Sequence, residues 1–450
     1  MSTEPTASNR PASVLDELKW RGLVAITTDE QALATALAGE PITAYCGFDP
    51  TAPSLQFGNL VQLIVLQKLQ RAGHRVICLV GGSTGLIGDP RPTSERVLKT
   101  KEQTAEWVAL IQRQVRPFLD FDGANPALMV NNLDWTAQMS ALDFLRDIGK
   151  HFRVNTMMRK DAVAARLNSD AGISFTEFSY QILQGLDYLH LFTEYGCTLQ
   201  TGGQDQWGNL TAGVDLIHRA KGKSVHLLAT PLLEDSAGQK FGKSEGNAIW
   251  LSPELTSPYT FYQYWLNVED ASVVQLLKVC TDRSATEIAE LERAVEERPQ
   301  TREAQRTLAV ELTTLVHGAV ATKAAIAASD ALFGRGDLTA VDEQTLAAAL
   351  AEAGLHRADG TATVAALLVA GGLAASISEA RRTVAAGGAN MNNLRVSDPD
   401  QLPAADDLLY GRYLVLRRGK KAIAGVDMHV ALDDTASIKD VLTVTHERNG

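Results

Sequence analysis

Tyr45-Cys-Gly-Phe-Asp-Pro-Thr-Ala-Pro-Ser-Leu-Gln-Phe-Gly-Asn59 leaves an apolar run, crosses a turn broken by glycine and proline, and enters a helical pattern. The run before it, Ile42 to Gly47, is short and mostly apolar, as a buried parallel strand tends to be. After it, Asn59 to Ala72 places Leu60, Leu63, Ile64 and Leu69 at helical spacing and stops at Gly73, a natural residue just past a helix end. The segment therefore reads as strand, turn, helix. A helix N-terminus is an anion site because its unpaired N–H groups and dipole point outward, and Gly58 lets a flat ring or a phosphate reach the backbone. Alone, it is equally well read as a plain connection between a strand and a helix.

The same alternation continues outward. Arg75 to Val80, Leu128 to Asn131, Thr198 to Gly202 and Ser224 to Leu228 are further strand-like runs, and Ser140 to Ile148 repeats the helical design with Leu142, Leu145 and Ile148 before Gly149. Strands alternating with helices over about 230 residues predict a doubly wound, Rossmann-like α/β domain with its ligand site beyond the carboxyl ends of a parallel sheet. From Pro253 the pattern turns all-α, through Val273 to Val279, Ala285 to Glu297 and Arg302 to Ala328. An alanine-rich stretch to Gly360 reads as helix plus linker. Gly360 to Ser378 is uncharged but interrupted by Gly371-Gly372, which predicts two short buried helices rather than a membrane span.

The 450 residues exceed what one core usually organises, and predict two or three domains. Forty-two Lys and Arg against 53 Asp and Glu give a net charge of −11, so any nucleic-acid contact must come from a local basic patch. Residues 361–430 supply one, with eight basic and six acidic groups, and Arg412, Arg417, Arg418, Lys420 and Lys421 follow one another with no acid among them. Cys46, Cys78, Cys197 and Cys280 are too scattered for a disulfide framework and lack metal-ligand spacing, which points to a reducing compartment. The polar start carries no secretory signal, and a cytoplasmic location is expected.

Three more segments carry chemistry. Gly81-Gly-Ser-Thr-Gly-Leu-Ile-Gly-Asp-Pro90 is a glycine-dense turn whose spacing is not that of a dinucleotide fingerprint. Lys240-Phe-Gly-Lys-Ser244 has Ala237 where a phosphate-loop motif needs its first glycine. Two lysines and a hydroxyl between Gly238 and Gly246 nonetheless suit a mobile phosphate clamp, with a solvated basic loop as the alternative. On the helix read over Glu177 to Leu191, Tyr180, Gln184 and Asp187 fall within roughly 60° of arc. Such a stripe either faces solvent or recognises a small polar ligand.

In this order, and with Gly202-Gly-Gln-Asp-Gln-Trp-Gly-Asn209 between them, these segments resemble the bacterial-type tyrosyl-tRNA synthetases of class I, from about Val14 to Val426. Gln56-Phe-Gly-Asn59 stands where the class carries His-Ile-Gly-His, and Lys240 to Ser244 is similar to its Lys-Met-Ser-Lys-Ser signature. Ser378-Glu-Ala-Arg-Arg382, Gly387 to Asn393 and Arg417-Arg-Gly-Lys420 resemble a small RNA-binding domain first seen in a ribosomal small-subunit protein.

The resemblance implies a ligase that activates tyrosine with ATP and passes it to tRNA-Tyr. Its implied layout is a catalytic domain over 1–235, with the first twelve or so residues flexible. A clamp loop and helical anticodon-arm domain would span 236–345, a linker 346–360, an α+β RNA-binding domain 361–430, and a tail of unknown role 431–450. Thr51 and Gln56 would meet the γ-phosphate, and Lys240, Lys243 and Ser244 the departing pyrophosphate. Gly47, Gly58, Asn59, Gly203 and Asp205 would line the nucleotide site. Tyr45 and Asp187 would bond the substrate phenol, and Tyr180, Gln184 and Asp89 its ammonium. Gln206 would sit near the carboxylate, with Asp49 and Thr84 in support. Arg381, Arg382, Arg417, Arg418, Lys420 and Lys421 would contact tRNA. Magnesium would arrive on ATP, with no protein-bound metal, and the implied assembly is a homodimer with no membrane partner. Gln56 and Asn59 depart from the signature histidines, and Gln56 can donate a hydrogen bond but carries no charge. Two other readings are a synthetase-like RNA-binding protein that has lost activation and a tryptophanyl enzyme. Amino-acid-dependent pyrophosphate exchange separates all three.

Overall fold

The architecture is that of a computed structural model, which describes residues 13–428 apart from 92, 93, 171, 245, 246, 420 and 421. The first twelve residues, the tail 431–450, Lys420 and Lys421 lie outside the described residues. Only the backbone is described for Lys243 and Ser244. The chain divides into two compact units, one of Met1–Thr256 with Gln263–Gly318, the other of Ser257–Tyr262 with Ala319–Gly450.

The first unit is built on a six-stranded sheet. Its strands are β1 (Ile26–Thr27), β2 (Thr43–Phe48), β3 (Arg75–Val80), β4 (Leu128–Asn131), β5 (Cys197–Gly203) and β6 (His226–Thr230), in the order β1-β6-β5-β2-β3-β4. All neighbours run parallel except β1 on β6. The direction of winding reverses between β2 and β5, where Tyr45 lies opposite Gln200. Such a reversal opens a crevice at the carboxyl ends of the strands. The strands form where apolar residues run together: Ala44, Tyr45, Cys46 and Phe48 are all nearly inaccessible.

Helix α1 (Phe57–Arg71) follows β2, and Leu60, Leu63, Ile64 and Leu69 are buried along it as the spacing predicts. Each such side chain contributes roughly 1.5–3 kcal/mol by leaving water. Lys68 and Gln70, towards its far end, are also buried. Lys68 is held between Glu17 (3.2 Å) and Asp282 (3.1 Å), which joins the first turn of the chain to the helical segment beyond residue 270. After β4 come α2 (Asp161–Leu167), α3 (Phe175–Tyr195) and α4 (Trp207–Lys221). Helices α3 and α4 pack through Tyr188, Leu189, Leu210, Leu216 and Ile217 against the sheet face of Tyr45, Ile77 and Leu79. The helix expected over Ser140 to Ile148 differs from its reading. It is a single turn, Ala141–Asp143, continued by a π-helical turn, Phe144–Ile148. Leu142 (78%) and Leu145 (54%) are exposed, and only Ile148 is buried. After β6, β7 (Lys243–Ser244) and β8 (Asn247–Ala248) form a two-stranded antiparallel ribbon. The all-α region holds α5 (Asp270–Cys280), α6 (Ala285–Glu297) and α7 (Glu303–Leu332), the last interrupted by φ 83° and ψ 164° at Gly318, where this unit ends. All four cysteines are free and buried, and all lie in this unit.

In the second unit the stretch read as a linker over 346–360 is largely structured. Helix α8 (Glu343–Ala353) buries Leu346, Ala349 and Leu350, and β9 (Leu355–Arg357) pairs with β13 (Ala422–Asp427). The sheet runs β11-β10-β12-β13-β9, with β10 at Ala389–Met391, β11 at Leu394–Arg395 and β12 at Tyr413–Arg418. It is covered by α9 (Val364–Ala370), a short buried helix as expected within Gly360 to Ser378, and by α10 (Ile377–Ala385), which starts only at the end of that stretch and buries just Ala380 and Val384. No helix among the described residues is long and apolar enough to cross a membrane.

Candidate functional site

At the crevice between β2 and β5 a cavity of about 390 Å³ opens within the first unit. Its deepest charged group is Asp187, on α3 and 2% exposed. Trp135 donates to one carboxylate oxygen and Asn132 to the other, both at 3.0 Å. Burial, with a smaller contribution from the charge of Asp49, pushes the Asp187 carboxyl up to about 8 against the pull of those two donors. Trp135 is aimed by stacking on His190, with ring centroids 4.2 Å apart. Asn132 is wholly buried, accepts from the Ser83 N–H (2.7 Å) and also donates to the Thr84 hydroxyl (3.1 Å), so it ties the glycine-dense turn to α3. Tyr45 lies against Tyr188 with centroids 5.2 Å apart. Its hydroxyl is buried near the Asp187 charge and has no hydrogen-bond partner among the described residues. A wall with an accepting carboxylate and an unsatisfied hydroxyl is made to grip a ligand that can both donate and accept.

Further along the cavity, Tyr180 donates to one Asp49 oxygen (2.7 Å) and Thr84 to the other (2.6 Å). Burial raises the Asp49 carboxyl, with these two hydroxyls opposing it. Gly81 is required here, because a Cβ would lie 2.0 Å from Asp49 Oδ1 and 2.3 Å from Thr84 Oγ1. Asp89 receives Lys160 Nζ (3.0 Å), Asn209 Nδ2 (3.0 Å) and, more weakly, Gln206 Nε2 (3.5 Å). Gln184 lines the same wall, so the stripe of Tyr180, Gln184 and Asp187 faces the cavity and not bulk solvent.

The mouth is formed by the start of α1 and by the loop over Lys240. Gln56 is the N-cap residue, and its N–H donates to Asn59 Oδ1 (3.0 Å), which leaves the Asn59 amide N–H groups for a ligand. Nothing lies within 4 Å of where a Gly58 side chain would be, an open approach to the helix N-terminus. Gly242, at φ 82°, sits against Phe57 and would strike its Cβ at 2.8 Å if it bore a side chain, while its N–H donates to Tyr264 Oη (2.9 Å). The loop is therefore seated on the first residue of α1. Lys240 meets Asp205 at 3.3 Å with both partly exposed, a contact worth little in water and easily exchanged for an anion. Gly47, Thr51 and Gly203 complete the lining named from sequence. Arg96, half-buried, adds a guanidinium whose pKa is drawn down by burial and by Arg91.

The structure thus gathers every tyrosine-site and nucleotide-site residue read from sequence into one cavity, apart from Lys243 and Ser244, of which only the strand backbone is described. Sequence reasoning gave no role to Asn132, Trp135, Lys160, Asn209 or Arg96. The only available signal was position, Asn132 just past β4 with Trp135 one turn on, and Asn209 closing a quoted segment. The residues read as an RNA patch fare differently. Arg418 is bound to Glu379 (2.8 Å) and to the Leu373 carbonyl (2.8 Å), and Arg412 to Asp427. Arg417 lies over Gly334, whose missing Cβ would be 2.3 Å from its Nη1. Arg381, on an exposed bond to Asp400, and Arg382 face outward. Of the run that has no acid among its neighbours in sequence, Arg412 and Arg418 meet acids in space.

Residues 37–334 match the model of the class I tRNA synthetases of the W and Y type, and residues 345–424 that of the SYY-like C-terminal domain of tyrosine–tRNA ligases. A tyrosine–tRNA ligase of Streptomyces avermitilis is 60% identical over 416 residues, covering 92% of this chain and 99% of its own length. One of Leifsonia xyli is 61% identical over 422 residues, covering 93% and 95%. Among solved structures, a C-terminally truncated mitochondrial tyrosyl-tRNA synthetase of Coccidioides posadasii superposes with a TM-score of 0.63 at 31% identity, over 70% of this chain and 92% of that one.

Proposed function

From the premise that this chain belongs to the class I tRNA synthetases of the tyrosine and tryptophan type, we propose how its residues ligate tyrosine to tRNA-Tyr. The tyrosine carboxylate attacks the α-phosphorus of ATP. An oxygen–phosphorus bond forms between the carboxylate and the α-phosphorus as the bond to the bridging oxygen of pyrophosphate breaks. A ribose hydroxyl at the 3′ end of the tRNA then attacks the tyrosyl carbonyl, and the acyl–oxygen bond to AMP breaks, so that AMP leaves. The nucleophile is already an anion, so the barrier is charge building on the phosphates, which positioned donors lower.

The observation that carries tyrosine over tryptophan is the end wall, where the unpaired Tyr45 hydroxyl stands near the Asp187 carboxylate. A phenol satisfies both, because it donates to the carboxylate and accepts from the Tyr45 hydroxyl, whereas an indole N–H only donates and leaves that buried hydroxyl without an acceptor, which is costly. Asp89, Tyr180 and Gln184 take the ammonium, Asp49 and Thr84 fix Tyr180, and Gln206 attends the carboxylate. Gly47, Gly58, Asn59, Gly203 and Asp205 take adenosine. Thr51, Gln56, Arg96, Lys240, Lys243 and Ser244 face the phosphates. Magnesium enters on the nucleotide as part of the substrate. Tyrosine-dependent exchange of labelled pyrophosphate into ATP tests the assignment, and folded protein that fails to exchange refutes it. Retained RNA affinity without exchange would instead select the RNA-binding reading that Gln56 motivates.

The domain layout read from sequence assigns the anticodon arm to the helical region and further tRNA contacts to the C-terminal unit, in the cytoplasm. A homodimer is supported by apolar side chains left exposed near one another in sequence, Leu142, Leu145, Val154 and Met158. Sedimentation equilibrium tests it, and a monomer at micromolar concentration refutes it.

A further inference from the structure

Arg166 and Glu177 form an ion pair at 3.0 Å with both side chains 1% exposed, away from the cavity lining. A pair buried this deeply adds little net stability, because desolvating both charges offsets their attraction, and an apolar pair of similar volume serves a fold as well. What an apolar pair cannot do is bind main chain, and this pair does so at both ends of one loop. The second Glu177 oxygen accepts the Arg96 N–H (2.8 Å), while Arg166 Nη1 reaches the Arg91 carbonyl (3.4 Å) and its Nε the Gly172 carbonyl (2.8 Å). Arg96 is then fixed a second time, because its Nε donates to the Asp89 carbonyl (2.8 Å). Gly88 allows the close approach, since a Cβ there would press on Arg96 Cγ at 3.1 Å. Glu177 is itself anchored in the first turn of α3, whose N-cap is Ser174.

We propose that Arg166 and Glu177 are positioning residues that hold Arg96 at the phosphates, and so set the rate of tyrosine activation without contributing to tyrosine binding. This deepens the function proposed above and rests on it. A guanidinium displaced by about an ångström loses much of its effect on a transition state.

The test is a mutant cycle read by pyrophosphate exchange, with tyrosine affinity measured separately by equilibrium dialysis. The double variant Arg166→Met/Glu177→Leu, which swaps the pair for apolar groups, should lower the exchange kcat by about tenfold or more and leave the tyrosine Kd within twofold. Arg96→Ala alone should lower it by about a hundredfold, the scale for one transition-state donor. The triple variant should be no slower than Arg96→Ala. A triple variant slower by the full additional factor overturns the proposal, because the pair would then act other than through Arg96. So does a double variant that loses tyrosine affinity in step with kcat. Glu177→Gln, which keeps the shape and one acceptor oxygen, is measured in both backgrounds as well. If the double variant does not fold, this second cycle decides by the same criterion. Wild-type protein without exchange would remove the activation reading itself, whereas an exchanging wild type with additive variants removes only the role of the pair.

Discussion

Replacing Tyr45 with phenylalanine should move stability and tyrosine affinity in opposite directions. In the ligand-free protein the Tyr45 hydroxyl is buried without a partner among the described residues, and a group in that state costs about 1–3 kcal/mol. Phenylalanine removes the hydroxyl but keeps the ring against Tyr188. The ligand-free first unit should therefore gain on the order of 1 kcal/mol. With tyrosine bound, the same hydroxyl meets the substrate phenol in a neutral hydrogen bond worth about 0.5–1.5 kcal/mol, which is roughly a two- to twelvefold loss in Kd for the variant. Affinity for phenylalanine should not fall, so discrimination between the two substrates narrows by the same factor. Calorimetric melting with and without tyrosine, together with equilibrium dialysis of both amino acids, reads all three quantities. A variant that melts earlier and binds tyrosine as before would show that the hydroxyl serves the fold, and would refute the account of the end wall.

Other outcomes follow from the same geometry. The Asp187 carboxyl sits at about 8 in the folded protein against an ordinary 3.8, so the neutral form is favoured by folding. Its contribution is present below the ordinary value and is lost as pH rises towards 8. Urea midpoints of wild type minus Asp187→Asn should accordingly fall between pH 5 and 8.5, and a flat difference would contradict the burial argument. Lys243→Ala should slow activation by roughly a hundredfold with little change in melting, as measured by exchange and calorimetry. Gly81→Ala should abolish tyrosine binding in dialysis, because the new Cβ overlaps Asp49 and Thr84. In the second unit, Arg381→Ala/Arg382→Ala should weaken tRNA binding and make its salt dependence shallower by about two phosphate contacts, without loss of stability. Arg418→Ala should lower the melting of that unit, because it frees Glu379 and the Leu373 carbonyl.

The strand positions of the first unit were legible because a parallel sheet buries both faces, and uninterrupted apolar runs bounded by glycine or asparagine mark it. The segment from Tyr45 to Asn59 also disclosed the crevice, since a strand followed by an open helix start has one ligand-facing side. Partners were not legible where they join distant positions. Asn132 reaches Asp187 across 55 residues, and no local pattern marks the bond. Arg418 reads as a free cation because its acid, Glu379, lies on another element. Leu142 and Leu145 misled for a different reason: periodicity shows which side of a helix is apolar, but not whether this chain or something else covers it.

The four thiols carry a practical consequence. All are sealed in the first unit, and burial pushes the Cys46 thiol up to about 12, so alkylating reagents meet neither accessible sulfur nor thiolate in the intact protein. Labelling by iodoacetamide then proceeds only through molecules whose sheet has opened. Counted by mass, the adducts form an internal clock for opening of the first unit, blind to events in the second, which has no cysteine to report them.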